Sequence, residues 1–119
     1  MNITLINLPA LALAAFALVG CQTAQPSLYH WDSYESQVKA HFKGESPDQQ
    51  IAAMEKQLQT VSALGKQVPP GFHAHLGMLY SIAGKPGEVA AQFQEEKRLF
   101  PESEPYMNRL LETMSKGGR

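Results

Sequence analysis

The stretch from Pro70 to Ser103, PGFHAHLGMLYSIAGKPGEVAAQFQEEKRLFPES, decides the fold. Phe72, Leu76, Leu79, Tyr80 and Ala83 recur at steps of three and four, the spacing that lines apolar side chains along one face of an α-helix. Gly84 ends that helix, and Pro86 suits the first turn of the next, where its missing N–H has no intrahelical partner to lose. Val89, Ala90, Phe93 and Phe100 then point inward, and Pro101 drives Phe100 out of the helical region. Pro69 and Pro70 bar any helix from running in from upstream. The stretch reads as a helical hairpin.

The same reading extends in both directions. Upstream, Asp32 can cap a helix with Glu35 three residues on, and Tyr34, Val38 and Phe42 follow at four-residue steps, so a helix is expected from about Asp32 to Lys43. Gly44 stops it. Ser46-Pro47-Asp48-Gln49 then combines a capping serine, a proline at the first helical position and glutamine at the third, and Ile51, Met54, Leu58 and Val61 form one stripe that lasts until Gly65. Downstream, a fifth helix begins near Ser103 or Glu104 with a stripe of Tyr106, Met107, Leu110, Leu111 and Met114, and Lys116 and Gly117 suit its C-terminal end. No run alternates as a strand would, and the connections are short. The expected fold is all-α, about five helices in hairpins, within a domain over residues 32–116.

The Pro70 to Ser103 hairpin has the length of one tetratricopeptide repeat, about 34 residues, and Leu76-Gly77, Tyr80, Phe93 and Pro101 resemble that repeat's signature positions. In that resemblance Gly77 lets the two helices approach, Tyr80 and Phe93 lock them, and Pro101 ends the pair. The pattern departs at His73, where an aromatic is usual, and at Val89 and Glu96, where small residues are usual. Tyr34 to Gly65 resembles a degenerate repeat, and the helix after Ser103 resembles the capping helix of such arrays. The resemblance implies an inner groove lined by Ala74, Met78 and Ser81, with the preceding hairpin opposite. Lys, Arg and Asn are missing at these positions, so a clamp for a peptide's terminal carboxylate is not expected.

The N-terminal segment follows different rules. Every Lys, Arg, Asp and Glu of the 119-residue chain lies at Asp32 or beyond, while Ile3 to Val19 is almost wholly apolar and carries Pro9. This has the length and composition of a signal peptide's apolar core rather than of a stable spanning helix. Leu18-Val19-Gly20-Cys21 resembles the lipobox of bacterial lipoproteins, which implies a signal peptide over residues 1–20, cleavage before Cys21, a diacylglyceryl group on its sulfur and an acyl chain, such as palmitate, on its amine. Each buried methylene adds about 0.8 kcal/mol of membrane affinity, so two or three chains anchor the protein stably. Gln22 in place of Asp implies the outer membrane. Residues 21–31 are then a lipidated tether leading to a domain in the periplasm, where the lone cysteine excludes an internal disulfide.

The mature part also resembles a functionally unassigned family of small bacterial lipoproteins through Tyr29-His30-Trp31, His41-Phe42-Lys43-Gly44, Pro69-Pro70-Gly71-Phe72-His73 and Phe100-Pro101-Glu102-Ser103. That resemblance implies an accessory role beside a lipoprotein similar to the curli secretion pore, and it supplies no catalytic residues.

The remaining chemistry is sparse. Ten basic against eleven acidic residues give a formal charge of -1, without the basic footprint that nucleic acid requires. His73 and His75, two residues apart, project to nearly opposite faces of a helix, so no metal site is expected from them, and His75 is expected to be partly exposed. Glu95, Glu96, Lys97 and Arg98 read as a solvated face with helix-spaced pairs. Trp31 beside Tyr29 suits either packing over the first helices or contact with a lipid interface. No nucleophile, base or carboxylate constellation is recognisable, and no cofactor is expected beyond the lipid on Cys21. The expected function is a non-enzymatic, outer-membrane-anchored adaptor that holds an envelope protein, plausible partners being secretion-pore-like lipoproteins. The alternatives are a membrane-tethered regulator of a peptidoglycan enzyme and, third, a small-ligand or metal binder using His41 or His73.

Overall fold

Residues 27–117 are described by a computed structural model of the chain. Leu18, Val19, Gly20 and Cys21, the whole 1–20 segment and the first part of the tether lie outside these residues. Helices form where proline and glycine punctuate the sequence: α1 spans Tyr34–Phe42, α2 Pro47–Ala63, α3 Phe72–Ile82 and α4 Pro86–Leu99. A 3-10 turn over Pro101–Ser103 leads into α5, Glu104–Gly117. Among the described residues the protein is all-helical, with five α-helices and no strand. A single bridge joins Tyr29 to Gln67 in parallel. Sequential helices pack on one another, and the α3–α4 pair is the most extensive contact.

The core follows the predicted stripes. Ile51, Met54 and Val61 of α2 meet Phe72, Leu76, Leu79 and Tyr80 of α3, Val89 and Phe93 of α4, and Met107 of α5, with Val68 closing the α2–α3 loop. Gly77 is what allows α3 and α4 to touch: a Cβ there would stand 2.6 Å from the Phe93 ring. Val89, Phe93 and Glu96 form the buried face of α4, so Ala90, about 100° round the helix from Val89, is exposed, contrary to the inward position expected for it.

Two helix starts differ in chemistry from the sequence expectation. Ser33, not Asp32, is the N-cap of α1, and Asp32 sits at φ +35°, turning the chain into the helix without a side-chain capping bond. At α2, Pro47 opens the helix as expected, but Ser46 makes no side-chain cap bond. The glutamine that works there is Gln50, whose Nε2 donates to the Glu45 carbonyl at 2.9 Å. The α1 stripe also fails at its end. Each four-residue step overshoots a turn by about 40°, so two steps carry Phe42 far round from Tyr34. Phe42 is 84% exposed, and Ala40 takes the buried position.

The N-terminal strap belongs to the domain from Tyr29 onward. The His30 N–H donates to the Gln67 carbonyl at 2.8 Å, and Gln57 Nε2 donates to the carbonyls of His30 and Trp31, each at 2.9 Å. Ser33 Oγ donates to Gln57 Oε1 at 3.1 Å, so this fully buried glutamine is satisfied at both ends. The Tyr29 ring meets Phe100 edge-on at 5.9 Å, tying the strap to the far end of α4.

The close approach at Gly77 sets an expected outcome. Gly77→Ala should destabilise the domain by about 1–3 kcal/mol through overpacking against Phe93, and Phe93→Ala or Tyr80→Ala by roughly 3–5 kcal/mol through an unfilled cavity. Urea unfolding followed by circular dichroism measures all three, and a neutral Gly77→Ala would show that the two helices can separate freely.

Candidate functional site

Helix α3 presents Ala74, Met78 and Ser81 at spacings of four and three, which places them in one row. Helix α5 presents Tyr106, Leu110, Thr113 and Met114 in a facing row, and Phe93 of α4 contributes between them. These rows enclose an open groove of about 350 Å³, with His75 at its edge. Its walls carry hydroxyl, thioether and hydrocarbon groups, with no Lys, Arg, Asp or Glu. Ala74, Met78 and Ser81 therefore do share one surface, but the opposite wall is α5 and not the preceding hairpin. Leu110 and Met114 are only half-buried and Tyr106 is exposed, because the stripe of α5 is divided: Met107 enters the core while its neighbours face the groove. The sequence pattern held this signal in a stripe wider than the core needed.

The base of α3 is organised by a residue expected in solvent. No Ser, Thr, Asp or Asn precedes α3; its N-cap is Gly71, at φ +87°, and it makes no side-chain cap. Glu96 of α4, only 2% exposed, supplies the missing acceptors. Its Oε1 accepts from the Gly71 N–H at 2.6 Å, and its Oε2 from those of His73 and Ala74 at 3.1 and 3.3 Å. A carboxylate accepting from backbone N–H groups makes charge-assisted bonds, and it meets the positive end of the helix dipole. The charged run is thus divided. Glu95 and Arg98 form the exposed bidentate pair, at 2.8 and 2.6 Å, while Glu96 turns inward.

The histidines fall on opposite sides of α3, as their spacing requires. His73 Nδ1 lies 2.7 Å from Gln92 Oε1 on the α4 side. His75 faces α1, with the Tyr34 ring 6.1 Å away and the His41 ring 5.6 Å away. It is not partly exposed as expected: 9% of its surface is accessible, and its Nε2 is buried without a hydrogen-bond partner. Burial, reinforced by the nearby His41, holds the His75 pKa below the usual imidazole range. Trp31 stacks on Tyr34 at 6.3 Å and remains 41% exposed, so packing and an accessible face coexist. Among the described residues no three His, Cys, Asp or Glu side chains are grouped to hold a metal, and no helix is long and apolar enough to cross a membrane.

These elements define a small all-helical domain whose most distinctive surface is an uncharged groove between two helices. Residues 28–110 match the domain of unknown function DUF4810, and the chain belongs to that family. The match begins at the strap and ends within α5, so it takes in α1 to α4 and the first half of α5. No curated protein and no solved structure matches the chain.

Two outcomes follow from the buried ionisable groups. Glu96→Ala leaves three N–H groups at the buried base of α3 without acceptors and should cost on the order of 3 kcal/mol in chemical denaturation. Glu96→Gln, which keeps one acceptor oxygen, should cost less. For His75 the folded state disfavours the proton, so its contribution to stability is present above the unfolded value of about 6.5 and is lost as pH falls from there through the depressed folded value. Melting temperatures taken from pH 8 to pH 5 should decline on the acid side, and His75→Phe should flatten that decline.

Proposed function

We propose that the protein is an outer-membrane-anchored lipoprotein that acts as a non-enzymatic adaptor within an envelope or secretion assembly. The observation that carries this reading is the groove between α3 and α5, apolar, open and free of charged side chains. A lining of this kind suits a hydrophobic protein segment better than a polar metabolite. Met78 and Met114 add side chains that adapt to different shapes.

The reading of the chain as tetratricopeptide-like supports it. Helices α1 and α2, then α3 and α4, pack as sequential pairs, and on this reading α5 is the capping helix. Gly77 against Phe93 supplies the close approach that the repeat pattern calls for. The lipid anchor rests on Leu18-Val19-Gly20-Cys21, with Cys21 as the acylated residue, and the resemblance to lipoproteins encoded beside a curli-pore-like lipoprotein favours such a pore as the partner. The strap from Tyr29 to Trp31 is bonded to Gln57 and Gln67, so a tether from Cys21 to Leu28 would span at most about 25 Å and keep the groove close to the membrane.

Cross-linking in intact cells, followed by capture through a C-terminal tag and mass spectrometry, tests the reading. Wild-type protein should bring down a secretion-pore-like lipoprotein. Met78→Glu, which places a charge in the groove at a half-buried position, should reduce that capture at least tenfold while melting as the wild type does. Cys21→Ser should abolish palmitate labelling and release the protein from membranes. Recovery of a peptidoglycan synthase instead would move the assignment to the regulatory alternative, and recovery of no partner would sink the adaptor reading.

A further inference from the structure

His41 and His75 reach each other across a gap in sequence that contains the whole of α2. Their ring centres are 5.6 Å apart and their planes stand at 90°. His75 is buried, yet its Nε2 has no hydrogen-bond partner. A buried nitrogen in that condition has given up its hydration without return, which is uncommon enough to call for a reason. The protein groups around it do not supply one. Tyr34 meets the ring edge-on from α1, and Tyr106 lies across the groove on α5.

A common ion would satisfy that nitrogen. Two imidazoles that each bond one ion through nitrogen, at about 2.0–2.1 Å, place their ring centres roughly 5–6.5 Å apart. The observed separation lies inside that window. Met78 follows His75 by one helical turn and lines the same groove, so a thioether stands on the same flank of α3. Two neutral imidazoles and a thioether form a soft, uncharged donor set. Such a set favours monovalent copper over calcium or magnesium, which take oxygen ligands, and over structural zinc, which takes thiolates with histidine. The geometry points to a copper(I) site formed by His41, His75 and Met78, where the His41 ring meets His75 at the border of the groove. This assignment does not depend on the adaptor reading or on the identity of any partner.

The test uses the full chain in detergent, titrated anaerobically with copper(I) in competition with bicinchoninate. One equivalent should transfer to the protein. His41→Gln and His75→Gln should each weaken retention at least tenfold, Met78→Leu should weaken it measurably, and His73→Gln, on the opposite side of α3, should leave it unchanged. X-ray absorption at the copper edge should show nitrogen and sulfur scatterers together. His41 is only half-buried, so its variant serves if His75→Gln fails to fold. Failure of the wild type to compete for copper, copper retention by both histidine variants, or an equal loss in His73→Gln would each overturn the site. Unchanged binding in Met78→Leu would overturn the thioether ligand and with it the preference for copper(I).

Discussion

The contact between Glu96 and the first turn of α3 is the constraint on which the arrangement depends. A helix that begins after Pro69-Pro70-Gly71 has no side chain of its own to accept its first N–H groups. Buried, those groups would cost more than any one hydrophobic contact returns. Glu96 accepts three of them from a position on α4 more than twenty residues later. The bond is therefore tertiary as well as local: it sets where α4 ends relative to where α3 starts. Once that end is fixed, Gly77 and Phe93 lie opposite each other about one turn along, at a separation that only glycine permits. The tightest packing in the molecule and its most buried charge are two ends of one registration.

A second polar pin works in the same way at the N-terminal side. Gln57 is 1% exposed, and it reaches the carbonyls of His30 and Trp31 while accepting from Ser33. An irregular strap can lie against a helical domain only if its backbone groups find partners. Gln57 and the Gln67 carbonyl provide them, and Tyr29 and Tyr34 add aromatic contact with Phe100 and Phe72. The strap then delivers α1 to α3 at a fixed angle, which brings Tyr34 and His41 onto His75. The histidine pair is thus a consequence of a glutamine on α2.

The contrast between these polar pins and the apolar stripes explains what could be read from sequence. The boundaries at Pro47, Gly65, Gly84, Pro86 and Pro101 were legible because proline and glycine act on their own residue and the next. The stripes of α2 and α3 were legible because burial repeats at a helical period. Glu96 was not: its neighbours Glu95, Lys97 and Arg98 are charged, and a local reading assigns all four to solvent. Its partner N–H groups belong to a helix start that the sequence marks only by lacking a cap, and that absence was the available signal. His75 was misjudged for a related reason. Its burial comes from α1, whose packing face was blurred by Phe42, an aromatic that fits a four-residue pattern and yet stands in solvent. Ala74, Met78 and Ser81 follow from the tetratricopeptide resemblance, and their spacing on one helix face needs no tertiary information to keep them together. Their facing wall did need it: the resemblance implies the preceding hairpin, and the structure supplies α5 instead.

The groove's lack of charge bears on how it could select anything. Without charged walls it gains little from electrostatic steering or from like-charge rejection of wrong partners, so discrimination rests on shape and on the hydrogen bonds open at Ser81 and His75. A groove of about 350 Å³ holds only a short segment of a protein partner, and the cost of association leaves such a contact weak unless it is preorganised. Tethering changes that balance. A site and its partner held on the same membrane by short linkers meet at effective concentrations in the millimolar range, where a weak contact is well occupied. On the proposed reading, a lipid on Cys21 and an uncharged groove on α3 and α5 would be complementary parts: the first would confine the search and the second would recognise a shape. On that reading the pinned strap from Tyr29 to Trp31 would shorten the linker between them, and a longer free linker would dilute the site that the anchor concentrates.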